Sequence, residues 1–420
     1  NIDDTSKSGI VGFPQGDSPE PFVLNPGTIA AASAGNYILK RPAADYPVGV
    51  MSLDTKEIIL ANKQSALDVY NDTFVSERQN GEIGVYALKT KSLITSVKLP
   101  PSPLVKLKAV AVSPDLSTIA VSQRLRGAVW NAETGERLFH VRGFRSGFFA
   151  DDGVLYAEFP KHDAAERTVM KMHIASRSSS NGPALAPEHE SVSGPFIITR
   201  KALGGDLSEL TDNVEITISD VRTKAKLWSR TFPREAPEVY VETGAETLVL
   251  LWQMSDEAAT AEIKADPRLS HRLGLKKKEK EADYFLQVVD ARTGKLMGQL
   301  IVETGLGSFD VADLFAVGGW VVVADTANRI LIYSVASGEQ KGKVFGTNAA
   351  INPAGTAMVV ENAPGKLAFY TLPAMEKRDE LAFGNPVVLA QYSRDGHRLF
   401  VLDSRQTVYV VDVDALGEDR

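Results

Sequence analysis

The chain has 420 residues, 44% hydrophobic and 24% charged, the balance of an ordinary globular protein. Its 53 acidic and 46 basic side chains leave a formal charge of −7, which argues against general nucleic-acid binding, since that needs a basic footprint. There is no cysteine, so disulfides, thiolate zinc sites and cysteine nucleophiles are excluded, and no apolar run of about 18 residues predicts a membrane-spanning helix.

Residues 1–27 are rich in Gly, Pro, Ser and Asp and read as an arm in which 10–13 or 22–24 can form one strand. The first residue is Asn rather than Met, so the expectation is a removed leader or a longer parent chain. Together with the missing cysteines this is compatible with a bacterial periplasmic or exported protein, without fixing the compartment.

From residue 28 the chain repeats itself. The frame is clearest at Asp290-Ala-Arg-Thr-Gly-Lys295, set between an apolar, β-branched run at 284–289 and another at 296–302. Asp290 and Thr293 can bond back to nearby amides and Gly294 accepts a left-handed conformation, so the stretch predicts two strands joined by a tight turn. The frame recurs at 131–136 (Asn-Ala-Glu-Thr-Gly-Glu), 220–225 and 334–339, and more loosely at 52–57 and 87–92. A second hairpin precedes it: Pro114-Asp115-Leu116, Pro353-Ala354-Gly355 and Arg394-Asp395-Gly396 each separate two apolar runs. The unit is therefore strand, turn, strand, loop, strand, turn, strand. Candidate units fall at 28–60, 61–100, 101–141, 142–192, 193–233, 234–304, 305–346, 347–384 and 385–414, close to the length a four-stranded propeller blade needs. The last offers only three strands, and a strand from the N-terminal arm is expected to complete it.

The stretches 112–123 and 128–138 (VSPDLSTIAVSQ…AVWNAETGERL) resemble WD40-like β-propeller repeats, and 321–335 (VVVADTANRILIYSV) resembles repeats of YVTN or NHL type. The resemblance covers about 28–414 and lies in pattern and short motifs; the Trp-Asp pair of well-formed WD40 repeats is replaced by Trp130-Asn131. It implies an all-β fold: a single propeller of four-stranded antiparallel blades, eight favoured over seven or nine, spanning 28–420 and closed by an N-terminal strand. Weaker similarity to quinoprotein-like propellers rests on the turn-and-tryptophan pattern around Trp228.

Three adjacent units carry long connections between their second and third strands, at 160–167, 201–213 and 253–283, and the resemblance places them on one face. The third predicts a helical insertion, with Ser255 as cap, Asp256 and Glu257 in the first turn, and Pro267 opening a second short helix over 267–273. It continues into a lysine-rich run. Arg268, His271, Arg272, Lys276, Lys277 and Lys278 are the candidate contact residues of a partner-docking knob; the competing reading is a solvated helical hairpin lying on its own propeller. The serine-rich stretch 176–193 reads as a flexible loop.

No catalytic constellation emerges. The six histidines, His140, His162, His173, His189, His271 and His397, include no pair two or four residues apart, so no compact zinc spacing exists; His140 and His173 fall in predicted strands as structural residues. There is no nucleophile elbow, P-loop or dinucleotide fingerprint, and Asp151-Asp152-Gly153 and Asp395-Gly396 read as hairpin turns rather than calcium loops. Trp130, Trp228, Trp252 and Trp320 read as blade core. The expectation is a monomeric, non-catalytic scaffold that binds another protein, with no cofactor, metal, nucleic acid or membrane span. The alternative is a propeller enzyme, lactonase-like or quinoprotein-like, holding a metal or quinone at the central channel.

Overall fold

The computed structural model describes residues 107–416 apart from 124–125, 161–166, 177, 187–188, 205–212, 242–245, 271–282 and 305–308, together with 82–98, 72–77 and the strands before them. The chain divides into two compact units, Asn1–Ser102 and Pro103–Arg420. Among the described residues almost every element is a strand paired antiparallel with its sequence neighbour, in eight four-stranded sheets, one of three strands and one of two. This is the repeated meander of a WD40-like β-propeller.

The first unit holds two of the four-stranded sheets: Ile29–Ala32, Tyr37–Arg41, Gly49–Ser52 and Ile58–Ala61, then Ala66–Tyr70, Thr73–Glu77, Glu82–Ala87 and Leu93–Lys98. Gly9–Ile10 and Phe22–Val23 pair with each other in a ribbon of their own. Among the described residues the sheet of Val387–Tyr392, Arg398–Asp403 and Val408–Asp412 has three strands.

The second unit holds the remaining seven sheets, at 109–142, 147–185, 190–232, 238–302, 311–345, 347–382 and 387–412, here called the first to the seventh. Alternation along each central strand sends successive side chains to opposite faces. In Thr247–Gln253, Leu248, Leu250 and Trp252 pack toward the third sheet, while Val249 and Leu251 pack toward the fifth. The same device joins every neighbouring pair, so each interface is one apolar cluster. A further cluster joins the ends of the series: Val112, Ile119 and Val121 of the first sheet pack with Phe400 and Leu402 of the seventh. Side-chain packing thus closes the seven sheets into a cycle, reinforced where Arg398 donates to the Asp115 carbonyl at 3.3 Å.

Position within a sheet decides polarity. First strands of adjacent sheets lie against each other, as Ala109–Val112 does on Gly147–Phe149 and Thr347–Ile351 on Val387–Tyr392, so they are innermost. Fourth strands such as Gln340–Phe345 and Lys377–Ala382 alternate exposed and half-buried residues, the charged pattern expected of a solvent-facing edge. This explains one misreading. Ser178–Leu185 is not a loop but the fourth strand of the second sheet, and Glu190–Ser193 opens the third. The stretch is poor in apolar residues because most of it faces water, and burial begins only at Leu185.

The turns form as their residues dictate. Asp290 Oδ1 accepts from the amides of Arg292 at 3.1 Å and Thr293 at 2.8 Å and from the Thr293 hydroxyl at 2.7 Å, and Gly294 sits at φ +68°. Asn131 and Asp220 repeat the arrangement. Asp152 and Asp395 also bond to the amides of their own turns, as hairpin residues should. The tryptophans bridge sheets: Trp228 Nε1 donates to the Ala291 carbonyl at 2.9 Å and Trp320 Nε1 to Gly355 at 2.8 Å. His173, expected to be structural, stands exposed at the end of Arg167–His173.

Candidate functional site

The connections between second and third strands leave from paired residues at one end of each sheet: Pro160 opposite Arg167, Ala202 opposite Val214, Gln253 opposite Tyr284. The fourth strand ends at that same edge, as Phe232 opposite Val214 and Val302 opposite Tyr284 show, and the next sheet's first strand starts there. Only short segments, such as 233–237 and 383–386, link one sheet to the next. Such links cannot cross a sheet, so all seven edges lie on one face of the cycle. Six residues separate the second and third strands in the second sheet, eleven in the third and thirty in the fourth. The three long connections are therefore side by side, as the sequence predicts.

The thirty-residue connection begins with helix α1, Glu257–Ala265, and a single turn α2, Pro267–Ser270. The cap is Asp256, one residue beyond the predicted Ser255, and the described part of the predicted 267–273 is helical to Ser270. The described helices do not stand off the ring. Ala258, Ala259, Ile263 and Leu269 are buried against Trp252, Met254 and Phe285. A polar network completes the seat. Arg230 donates to Gln287 at 2.9 Å and to Glu262 at 2.7 Å. The Gln287 amide donates to Glu262 at 3.1 Å and to Gln299 at 3.0 Å, and Gln299 donates to Asp266 at 2.8 Å. Arg268 and Gln299 together hold the Asp266 carboxyl down to about 2.

Of the candidate contact residues, Arg268 is exposed but its guanidinium is turned back onto Asp266 at 3.0 Å. His271, Arg272, Lys276, Lys277 and Lys278 lie outside the described residues. The network residues Arg230, Glu262, Asp266, Gln287 and Gln299 were missed. The signal was there in part: a lone Gln in each of two otherwise apolar runs, 284–290 and 296–302, marks a buried amide that must find partners.

Beside the insertion, on the same edge, is a polar sector at the inner strands. The Tyr240 hydroxyl donates to Glu238 at 2.7 Å and that of Tyr284 to the Phe309 carbonyl at 2.9 Å. Burial, followed by the bond to Glu238 and its charge, pushes the Tyr240 hydroxyl up. Asp313, on Val311–Val317, reaches water yet is walled by the surrounding strands, which raises its carboxyl. Arg200 donates to the Pro237 carbonyl at 2.9 Å, and burial lowers its guanidinium.

Buried carboxylates at the ends of second strands look catalytic in isolation but are saturated by the chain itself. Asp403 accepts from the amides of Arg405 and Thr407 and from Asn385 at 2.9 Å. Glu361 accepts from the amides of Gly365 and Val387 and from Thr347 and Asn348. Asp325 accepts from two amides and the Arg329 guanidinium. Each pins a loop to the ring. Among the described residues no three His, Asp or Glu converge as a metal site, and no helix is long and apolar enough to cross a membrane.

No family model matches the sequence, and no curated protein matches it. Among solved structures, similar chains include BamB from Moraxella catarrhalis, with TM-score 0.42 and 12% identity over 83% of this chain and 96% of that one. Another is in a mitotic checkpoint complex, at 0.45 and 13% over 74% and 89%. A third is KlHsv2 with loop 6CD replaced by a Gly-Ser linker, at 0.44 and 11% over 72% and 91%. At these identities the likeness concerns the fold alone.

Proposed function

We propose that the protein is a non-catalytic scaffold that binds a partner protein through the face carrying the three long connections. The observation behind this is their adjacency: three consecutive sheets of a rigid ring each extend the same connection on the same edge, while the fifth, sixth and seventh keep it to a few residues. Long loops on a fixed frame are how binding surfaces are made. The saturated state of Asp325, Glu361 and Asp403 supports the non-catalytic reading, since a general acid or base needs a free reacting atom.

The basic side chains of the insertion, Arg268 with His271, Arg272, Lys276, Lys277 and Lys278, form the contact set in this reading. The test reverses charge rather than deleting the loop, because Ile263 and Leu269 belong to the core. Native-source affinity capture is compared for the wild-type chain and Arg268→Glu/Lys276→Glu/Lys277→Glu/Lys278→Glu. A partner held by the first and lost by the second supports the reading; identical capture by both refutes this contact set. Metal analysis of the purified protein addresses the enzyme alternative, where stoichiometric calcium would favour a channel-centred lactonase-like or quinoprotein-like activity.

A further inference from the structure

The insertion has a second attachment, at the start of α1, built differently from the Asp266 clamp at its end. Asp256 caps the helix in position and backbone conformation, yet its side chain makes no cap hydrogen bond. One carboxyl oxygen instead accepts from the Gln253 amide at 3.1 Å. The side chain faces Glu235, in the segment between the third and fourth sheets, whose Oε2 is buried with no donor from the protein. Among the described residues no cation pairs with either carboxyl. Arg234 is committed to Glu257 at 2.8 Å and Arg230 to Glu262 at 2.7 Å. Glu238 accepts from Tyr240, and Asp283 accepts from Thr304. An orphaned buried oxygen opposite an acid is satisfied at once if the acid keeps its proton and donates it.

We propose that Asp256 and Glu235 share one proton, and that this proton latches the start of the insertion onto the segment 233–237. Loss of the proton sets two carboxylates against each other. Asp256 then has an alternative at hand: rotating toward the free amides of the first turn of α1, where a carboxylate is the preferred cap. The latch is a two-state device: with the proton the start of α1 is seated on segment 233–237, and without it that seat is lost and the helix opens more readily. Burial, then the Glu235 charge, raises the Asp256 carboxyl to about 6, so the latch works in a range met in living compartments. A carboxyl raised in the folded protein stabilises it below the ordinary value of about 4, and that contribution is lost as pH rises through about 6.

The test is hydrogen exchange of residues 257–265 in the full chain at pH 5 and pH 7.5, corrected for intrinsic chemistry. In the wild type, protection is expected to fall about tenfold or more, since each pH unit above the titration weighs tenfold against the protonated form. Asp256→Asn keeps a donor toward Glu235, and Glu235→Gln supplies one from the other side. Both should hold wild-type pH 5 protection at pH 7.5. Unchanged protection of 284–290 in each variant reports an intact ring. A wild type with no pH dependence in this range overturns the latch, and so do variants that retain the wild-type dependence, which would leave the Glu235 oxygen to an ordinary bound water.

Discussion

At Gly294 a left-handed backbone coincides with a close approach from the neighbouring sheet. Its φ of +68° lies in the left-handed region, and a Cβ there would stand 2.8 Å from Trp228 Cδ2 of the neighbouring sheet. Gly294→Ala should therefore destabilise by about 2 kcal/mol or more, combining left-handed strain with overpacking, and a denaturant titration would register it. Tyr392 presents the opposite case. Its hydroxyl is buried without a partner while the ring packs among Leu399, Val401 and Ala350. Tyr392→Phe removes an unpaired polar atom and keeps the shape, so stability should rise by about 1 kcal/mol; a fall in melting temperature would mean the hydroxyl has a bound-water partner of real worth. The Asp290 turn was legible in sequence because every bond in it spans five residues or fewer. The Tyr392 environment was less so, because part of it, Ala350, comes from about forty positions away in another sheet.

At the scale of elements, the insertion is the informative case. The sequence reading offered a partner-docking knob or a solvated helical hairpin lying on its own propeller, and the described helices pack on the ring. Helical periodicity was readable from 257 to 265; the side the helix buries was not, since it depends on Trp252, Met254 and Phe285 forming a surface first. The clamp at its far end carries its own pH dependence. The Asp266 carboxyl is held to about 2, first by Arg268 and then by Gln299, so the folded protein binds fewer protons than the unfolded chain below the ordinary value. Its stabilisation is complete above about pH 4 and is lost as pH falls toward 2. Exchange of 257–265 should accelerate on acidification through that window in the wild type, and Asp266→Asn should flatten the response while raising the neutral-pH rate. An acid response shared equally by all seven sheets would instead place the loss elsewhere. The fourth strand Ser178–Leu185 teaches the complementary lesson: a strand at a solvent edge has no hydrophobic signature, and pairing alone identifies it.

Across the whole second unit, closure has no local mark in the chain. The repeat, the four-stranded unit and the face of the long loops could all be read from short motifs, whereas the joint between the first and seventh sheets brings residues near 112 against residues near 400. The closing strand expected from the arm addresses a real need, since an unclosed array leaves edges and apolar faces exposed; within the second unit, side-chain packing also joins the two ends of the series. Phe400, fully buried in the joint, should then matter to two sheets that are remote in sequence. Phe400→Ala is expected to cost about 3–5 kcal/mol through the cavity it leaves. The distinctive outcome is spatial. Exchange should accelerate together in 109–142 and 387–412, because the joint belongs equally to both, while 238–302, on the far side of the cycle, should hold its wild-type protection. Acceleration confined to 387–412 would mean that the seventh sheet merely rests against the first, and that the ring is held by its six sequential interfaces.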